Sequence, residues 1–66
     1  MNTKTPNTEL VGKRVKMIKM IDPNPILPNT EGTIIYVDSM NQYHVKWDDG
    51  RTLAILPEED EFEFLD

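Results

Sequence analysis

The chain has 66 residues, a formal net charge of −5 and no cysteine. A chain this short forms one domain at most and buries only about 60% of its unfolded surface, which leaves little room for a deep pocket. The lack of cysteine excludes disulfides, thiolate metal sites and cysteine nucleophiles, and no apolar run approaches the length of a membrane span. We therefore expect a soluble, cytoplasmic protein that does not contact a membrane.

The first part of the chain predicts a tail followed by a strand. Residues 1–9 are polar and show no periodicity, which predicts a flexible N-terminal tail before a domain at residues 10–66. In residues 13–20, Val15 and Met17 fall on one side and basic residues on the other, which is typical of a strand. This alternation is lost after Met17, which predicts either a bend in the strand or partial cover on both of its faces.

Residues 21–30 contain three prolines. Each proline fixes its φ angle and lacks an amide donor, so neither a central strand nor a helix interior can pass through this stretch. We predict a long, stiffened loop. Ile26 and Leu27 lie between its prolines, and we expect both to fold back on the domain, because apolar side chains usually find a packed environment.

A hairpin is predicted after a second strand at residues 33–38. Residues 43–47 alternate between apolar and polar side chains, and Asp48-Asp49-Gly50 follows them. A two-residue turn would place Leu53 on the charged face of the hairpin. A three-residue turn with Gly50 at positive φ instead places Leu53 opposite Val45 and keeps the large apolar residues on one face. We therefore predict the three-residue turn.

The same register places Trp47 opposite Arg51, where the guanidinium could lie on the indole. Beyond this hairpin, residues 58–61 form an acidic run that predicts a single 3₁₀ turn, and Phe62 and Phe64 predict a last short strand. No segment has a convincing helical period. The predicted fold is therefore all-β: a small five-stranded SH3-like barrel with a long proline-rich loop and one short 3₁₀ turn.

Five short motifs occur in order within residues 10–66: Gly12-Lys-Arg-Val15, Asp22-Pro23 with Leu27-Pro28, Thr30-Glu-Gly-Thr33, Val45-Lys-Trp-Asp-Asp-Gly50 and Asp60-Glu-Phe62. Together they make the chain similar to an uncharacterised family of small bacterial, phage and mobile-element domains, catalogued as a domain of unknown function. The resemblance implies an SH3-like fold. It carries no established activity, and therefore no catalytic residues to transfer.

A weaker similarity links Gly32-Thr-Ile-Ile-Tyr-Val37 to the KOW element of ribosomal and transcription-factor barrels. In that alignment Ile34 and Val37 both point inward, although they are three residues apart. A regular strand forbids this arrangement, so the similarity requires a bulge or sharp bend near Ile35 and Tyr36.

The search for chemistry is mostly negative. The chain has one serine, Ser39, and one histidine, His44, which the alternation places on an outward face. The acidic residues cluster in turns, where burial does not raise a pKa for acid and base catalysis, and Asp48-Asp49-Gly50 lacks the ligand spacing of a calcium loop. We predict no catalytic residue, no metal site and no cofactor.

Charge is distributed unevenly along the chain. Residues 1–20 carry five Lys or Arg and one Glu, whereas residues 21–66 carry two Lys or Arg and eleven acids. A nucleic-acid binder usually has a basic total, because phosphate contacts supply most of its non-specific affinity. The acidic total disfavours nucleic acid as a partner, while the basic N-terminal region keeps it possible.

Three functions remain. We favour a non-catalytic protein-binding module or adaptor with a shallow groove between the proline loop and the tryptophan hairpin, since aromatic residues and arginine dominate interface energetics. Its residues are Ile26, Leu27, Tyr36, Trp47 and Arg51, with a purely structural Trp47 as the alternative. A nucleic-acid-associated KOW-like barrel would use a basic stripe of Lys13, Arg14, Lys16, Lys19 and Lys46, joined by Arg51. An inhibitor of a host nucleic-acid-binding enzyme would use an acidic face of Asp48, Asp49, Glu58, Glu59, Asp60, Glu61 and Glu63.

Overall fold

The computed structural model describes residues 8–65, which form a single five-stranded antiparallel sheet. A 3₁₀ helix, Thr8–Leu10, precedes the strands β1 (Arg14–Lys19), β2 (Glu31–Val37), β3 (Tyr43–Trp47), β4 (Thr52–Ile55) and β5 (Glu61–Phe64). This architecture confirms the predicted all-β fold. Most of the predicted tail, residues 1–7, lies outside the described residues, while Thr8 and Glu9 begin the 3₁₀ helix. In the part of the chain that the structure describes, no helix is long and apolar enough to cross a bilayer.

The sheet is bent so that side chains of β3 and β5 meet across it. Its strand order is β4-β3-β2-β1-β5, so β1 to β4 form a meander and β5 returns to pair with β1. Residues 56–60 alone connect β4 to β5. The rings of Tyr43 on β3 and Phe62 on β5 meet edge to face with centroids 5.8 Å apart, although two strands separate β3 from β5 within the sheet. The sheet therefore curves around its core, as in a small barrel.

The β3–β4 hairpin has the predicted register. Val45 lies opposite Leu53, and the amide of Trp47 donates to the carbonyl of Arg51 at 2.8 Å. Gly50 has a φ of 95°, which a β-branched residue adopts only with strain. The three-residue turn is confirmed.

Two bulges explain where the alternation of the sequence fails. The β2–β3 register shifts between Ile34 and Tyr36, and Ile34 and Val37 are both buried, as the bulge prediction requires. The β1–β5 register shifts between Met17 and Lys19, which is the point where the alternation in the first strand is lost. Each bulge returns the following side chains to the correct face of the curved sheet.

Gly32 packs closely against β3. A Cβ atom at Gly32 would stand 2.6 Å from Cγ1 of Val45, 2.8 Å from Cε3 of Trp47 and 2.9 Å from the carbonyl oxygen of Lys46. Only glycine fits there. The indole N–H of Trp47 donates to the carbonyl of Leu53 at 2.9 Å, so the polar group of this buried ring has a hydrogen-bond partner. The buried apolar residues are Val15, Met17, Met20, Ile26, Ile34, Val37, Val45, Trp47 and Ile55.

The acidic segment between β4 and β5 forms a turn at residues 57–59. The amides of Glu59 and Asp60 both donate to the carbonyl of Leu56, at 2.9 Å and 2.8 Å. The Asp60 side chain is only 8% exposed and accepts the Leu56 amide at 2.9 Å. Asp60 therefore fixes this turn from inside, which corrects its assignment to an acidic surface.

Candidate functional site

The proline loop between β1 and β2 is tied to the β3–β4 hairpin through Arg51. The guanidinium donates from Nη1 to the carbonyl of Pro25 at 3.0 Å and from Nη2 to the carbonyl of Asn24 at 2.6 Å. The prediction that this guanidinium lies on the Trp47 indole is wrong, because it binds loop carbonyls instead. Since a charged donor makes strong hydrogen bonds, this contact holds the proline loop against the hairpin.

A second set of contacts ties the same loop to β1. The amide of Met17 donates to the carbonyl of Thr30 at 2.8 Å, and the amide of Asn29 donates to the carbonyl of Met17 at 2.7 Å. Ile26 is buried in the core beside Met20. The loop is therefore held by backbone pairing at its end and by one buried side chain in its middle.

The anchored loop leaves two aliphatic side chains in solvent. Ile21 is 72% exposed and Leu27 is 67% exposed. The prediction that Ile26 folds back on the domain is confirmed, because its side chain is buried, and the same prediction for Leu27 is wrong, because its side chain lies in solvent. We call the exposed side of this loop, Ile21 and Leu27, the loop surface.

The groove predicted beside Trp47 is closed in this structure. Trp47 and Ile26 are each only 1% exposed, so neither side chain is accessible to a partner. The prediction that both belong to a binding surface is therefore wrong for this structure. Trp47 ends an alternating strand, and the proline loop, tied down by Arg51, lies over that end of the hairpin. The structural alternative for Trp47 is therefore the correct one.

Tyr36 is exposed but stands apart from the loop surface. Trp47 lies opposite Gly32, at the loop end of β2, whereas Tyr36 lies opposite His44, four residues further along. At about 3.3 Å per residue, this spacing separates the two positions by roughly 13 Å. The structure therefore brings Leu27 and Arg51 to one end of the sheet and leaves Tyr36 near the other.

His44 belongs to a small polar cluster near the β2–β3 turn. Its Nε2 lies 2.9 Å from Oδ2 of Asp38, and its ring is tilted against that of Tyr36 with centroids 5.3 Å apart. The hydrogen bond from His44, followed by those from the amides of Gln42 and Met40, holds the pKa of Asp38 below its usual value. Because Asp38 is engaged in fixing the turn, this cluster has a structural explanation.

The basic stripe and the acidic face interleave on the outer side of the sheet. Arg14 contacts Oδ2 of Asp48 at 2.6 Å and Oε1 of Glu31 at 3.3 Å, and Lys16 contacts Oε2 of Glu63 at 3.1 Å. The hydrogen bond with Asp48 raises the pKa of Arg14, and it lowers the pKa of Asp48. Two residues of the predicted basic stripe, Arg14 and Lys16, are therefore paired with two residues of the predicted acidic face, Asp48 and Glu63.

A shallow cleft lies at the opposite end of the sheet from the proline loop. It has a volume of about 200 Å³ and opens between the β2–β3 turn and the β4–β5 turn. No sequence pattern predicts this cleft, because its walls come from two turns that are distant along the chain. Its lining residues are Met40, Asn41, Gln42, Leu56, Pro57, Glu58 and Glu59.

Within residues 8–65, no group of three or more acidic or histidine side chains is placed to hold a metal ion. Three surfaces stand out for contact: the loop surface, the exposed sheet around Tyr36 and the cleft between the two turns.

Comparison with known proteins identifies the family. The chain matches over residues 8–65 a family described as Domain of unknown function (DUF4314), and it belongs to this family. No curated protein and no solved structure has significant similarity to the chain. The family membership predicted from the five motifs is confirmed.

Proposed function

We propose that this family member is a small, non-catalytic protein-binding module that contacts its partner through the loop surface. The partner is a protein with a complementary apolar patch. The sheet supplies a rigid base, and the proline loop supplies the contact.

The observation that carries this proposal is the combination of a fixed backbone with exposed aliphatic side chains. Ile21 and Leu27 stand in solvent on a loop that is held by Arg51, by the backbone of Met17 and by buried Ile26. A loop that is already ordered does not lose that freedom on binding, so more of the interaction energy appears as affinity. Two exposed aliphatic side chains, Ile21 and Leu27, on one ordered loop therefore favour a contact surface over a solvated linker.

The strand arrangement supports the prediction that this module is an SH3-like barrel. In the described residues, β1 to β4 follow one another as a meander and β5 pairs with β1, which is the arrangement that an SH3-like barrel requires. In such a barrel the longest loop stands beside the following hairpins. Here the β1–β2 loop is the longest, and it touches the β3–β4 hairpin through Arg51.

The two alternative functions have less support. Arg14 and Lys16 already pair with carboxylates, and Arg51 is bound to loop carbonyls, so a nucleic acid would have to compete for all three. Of the predicted stripe, Lys13, Lys19 and Lys46 have neither kind of contact within the described residues. On the acidic face, Asp48 and Glu63 are paired and Asp60 is buried. Both alternatives also predict binding that weakens steeply as salt rises, whereas an apolar contact through the loop surface depends little on salt.

The test is capture of a partner from host lysate with the tagged chain, after nuclease treatment, by the natural sequence and by the double variant Ile21→Ser with Leu27→Ser. We expect one protein to be retained in high salt and lost with the double variant. Both side chains are exposed, so thermal unfolding of the variant should match that of the natural chain within a few degrees.

Val11→Ser with Ile35→Ser is the matched double control, because both are exposed apolar residues that lie outside the proline loop. This variant should still retain the partner. Retention by the double variant, or recovery of nucleic acid that disappears with nuclease, would contradict the proposal.

A further inference from the structure

The cleft between the two turns has walls that are fixed in place. On one side, Oδ1 of Asp38 accepts the amides of Met40 at 2.9 Å and Gln42 at 3.0 Å. On the other side, buried Asp60 holds the turn that begins at Leu56. Met40 is 74% exposed at the tip of the first turn, although the amides of Met40, Asn41 and Gln42 all donate to Asp38. The turn therefore presents this side chain at the edge of the cleft.

The size and lining of the cleft suit one long side chain. Its volume of about 200 Å³ is below the roughly 300–1,000 Å³ typical of small-molecule pockets. Met40, Leu56 and Pro57 provide apolar lining. The remaining lining is polar, so a purely aliphatic occupant would leave part of the cleft unmatched.

The charge at the rim differs from that of the sheet face. On the sheet, Asp48 is paired with Arg14, and Glu63 is paired with Lys16. At the cleft, Glu58 and Glu59 are exposed, and within residues 8–65 neither has a salt bridge. The cleft therefore combines an apolar lining with a negative rim whose charge is not matched by the chain itself.

We propose that this cleft binds a long basic side chain, Arg or Lys, from a protein segment. The aliphatic stem lies on Met40, Leu56 and Pro57, and the cation meets the carboxylates of Glu58 and Glu59. Basic side chains commonly divide in this way between an apolar surface and a charged partner. This second site lies at the other end of the sheet from the loop surface, and it does not depend on the function proposed for that surface.

The test is a titration of the ¹⁵N-labelled full chain with a capped Gly-Ala-Arg-Ala-Gly peptide at low salt, followed by amide chemical shifts. A matched peptide with citrulline in place of arginine has nearly the same shape without the charge. We expect the arginine peptide to shift residues 40–42 and 56–59 with a Kd on the order of 1 mM, and the citrulline peptide to bind at least about tenfold more weakly.

Two double variants identify the groups responsible. Glu58→Gln with Glu59→Gln should weaken binding of the arginine peptide by at least about tenfold, which corresponds to about 1.4 kcal/mol. Glu9→Gln with Glu61→Gln removes the same number of charges outside the lining and should leave that affinity within about twofold. The amide spectrum of each variant reports directly that it is folded.

Three results would overturn the proposal. These are equal shifts from the arginine and citrulline peptides, arginine-specific shifts confined to the sheet around Asp48, and the absence of any shift at the cleft. A lysine peptide that binds like the arginine peptide would support the shared chemistry of a long cationic side chain.

Discussion

The two ends of the β2–β3 ladder are built in different ways. At the loop end, Gly32 packs directly beneath Trp47, and Arg51 holds the proline loop over the hairpin. At the turn end, the carboxylates of Asp38 and Asp60 hold two short turns, and a cleft remains between them. Close packing around a glycine is thus specific to the loop end, whereas side-chain hydrogen bonds occur at both ends. The comparison shows that the two ends of one small sheet can be held by different contacts.

The largest effect should come from breaking the packing at the loop end. We expect Gly32→Ala to lower the free energy of unfolding by about 3 kcal/mol, because the new Cβ meets Val45, Trp47 and a backbone carbonyl that cannot move aside cheaply. Urea denaturation measures this change. A variant as stable as the natural chain would mean that the close contact beneath Trp47 does not exist.

A smaller effect should follow from the hairpin turn at the same end. Gly50→Val should lower the free energy of unfolding by about 1–2 kcal/mol, because valine resists a positive φ, although nothing lies within 4 Å of its Cβ position. Gly50→Asn should cost less, since asparagine tolerates positive φ better. Equal melting temperatures for all three chains would show that the turn is built differently.

Removal of the Arg51 contact between the proline loop and the hairpin should have a smaller effect on global stability and a larger effect on the local order of the loop. We expect Arg51→Gln to cost about 1 kcal/mol, because its two charged hydrogen bonds are partly accessible to water. Amide exchange at Asn29 and Thr30 should accelerate by more than the global change explains. Lys46→Gln on the exposed sheet is the control and should change neither quantity. Unaltered amide exchange in Arg51→Gln would show that the loop is held without the Arg51 hydrogen bonds.

The smallest effect concerns the ion pairs on the sheet between the two ends. Because Arg14 lowers the pKa of Asp48 in the folded state, the pair stabilises the fold above the unfolded pKa of about 3.9 and loses this contribution as pH falls through the lower folded value. Asp48→Asn should therefore lose less stability than the natural chain between neutral and strongly acidic pH. High salt should reduce the difference, since the pair is exposed. Identical pH profiles would contradict this assignment.

Much of the fold follows from local patterns in the sequence. The alternation of residues 43–47 and the position of Gly50 predict the hairpin register. The bulge in β2 is implied only by the KOW-like similarity, in which Ile34 and Val37 both point inward. The burial of Trp47 could not be predicted in the same way. It ends a strand beside a turn, and whether it is covered depends on a loop more than twenty residues earlier in the chain.

The candidate sites were predicted less well, for a related reason. Arg51 binds backbone carbonyls of Asn24 and Pro25, and carbonyl acceptors leave no signature in residue types. The cleft needs two turns that meet only after the sheet has curved. The capping role of Asp60 had a local signal, since an acid four residues after Leu56 can reach back to its amide, but the acidic run around it favoured a surface interpretation.

The most direct test of the account is the backbone order of the proline loop, measured by ¹⁵N relaxation at the amides of Ile21, Asn24, Ile26, Leu27 and Thr30. We predict order parameters near those of the strands, about 0.85, because the loop is held by Arg51, Met17 and Ile26. Order parameters below about 0.6 across these residues would contradict it. A loop that moves freely would not present Ile21 and Leu27 as a fixed contact surface.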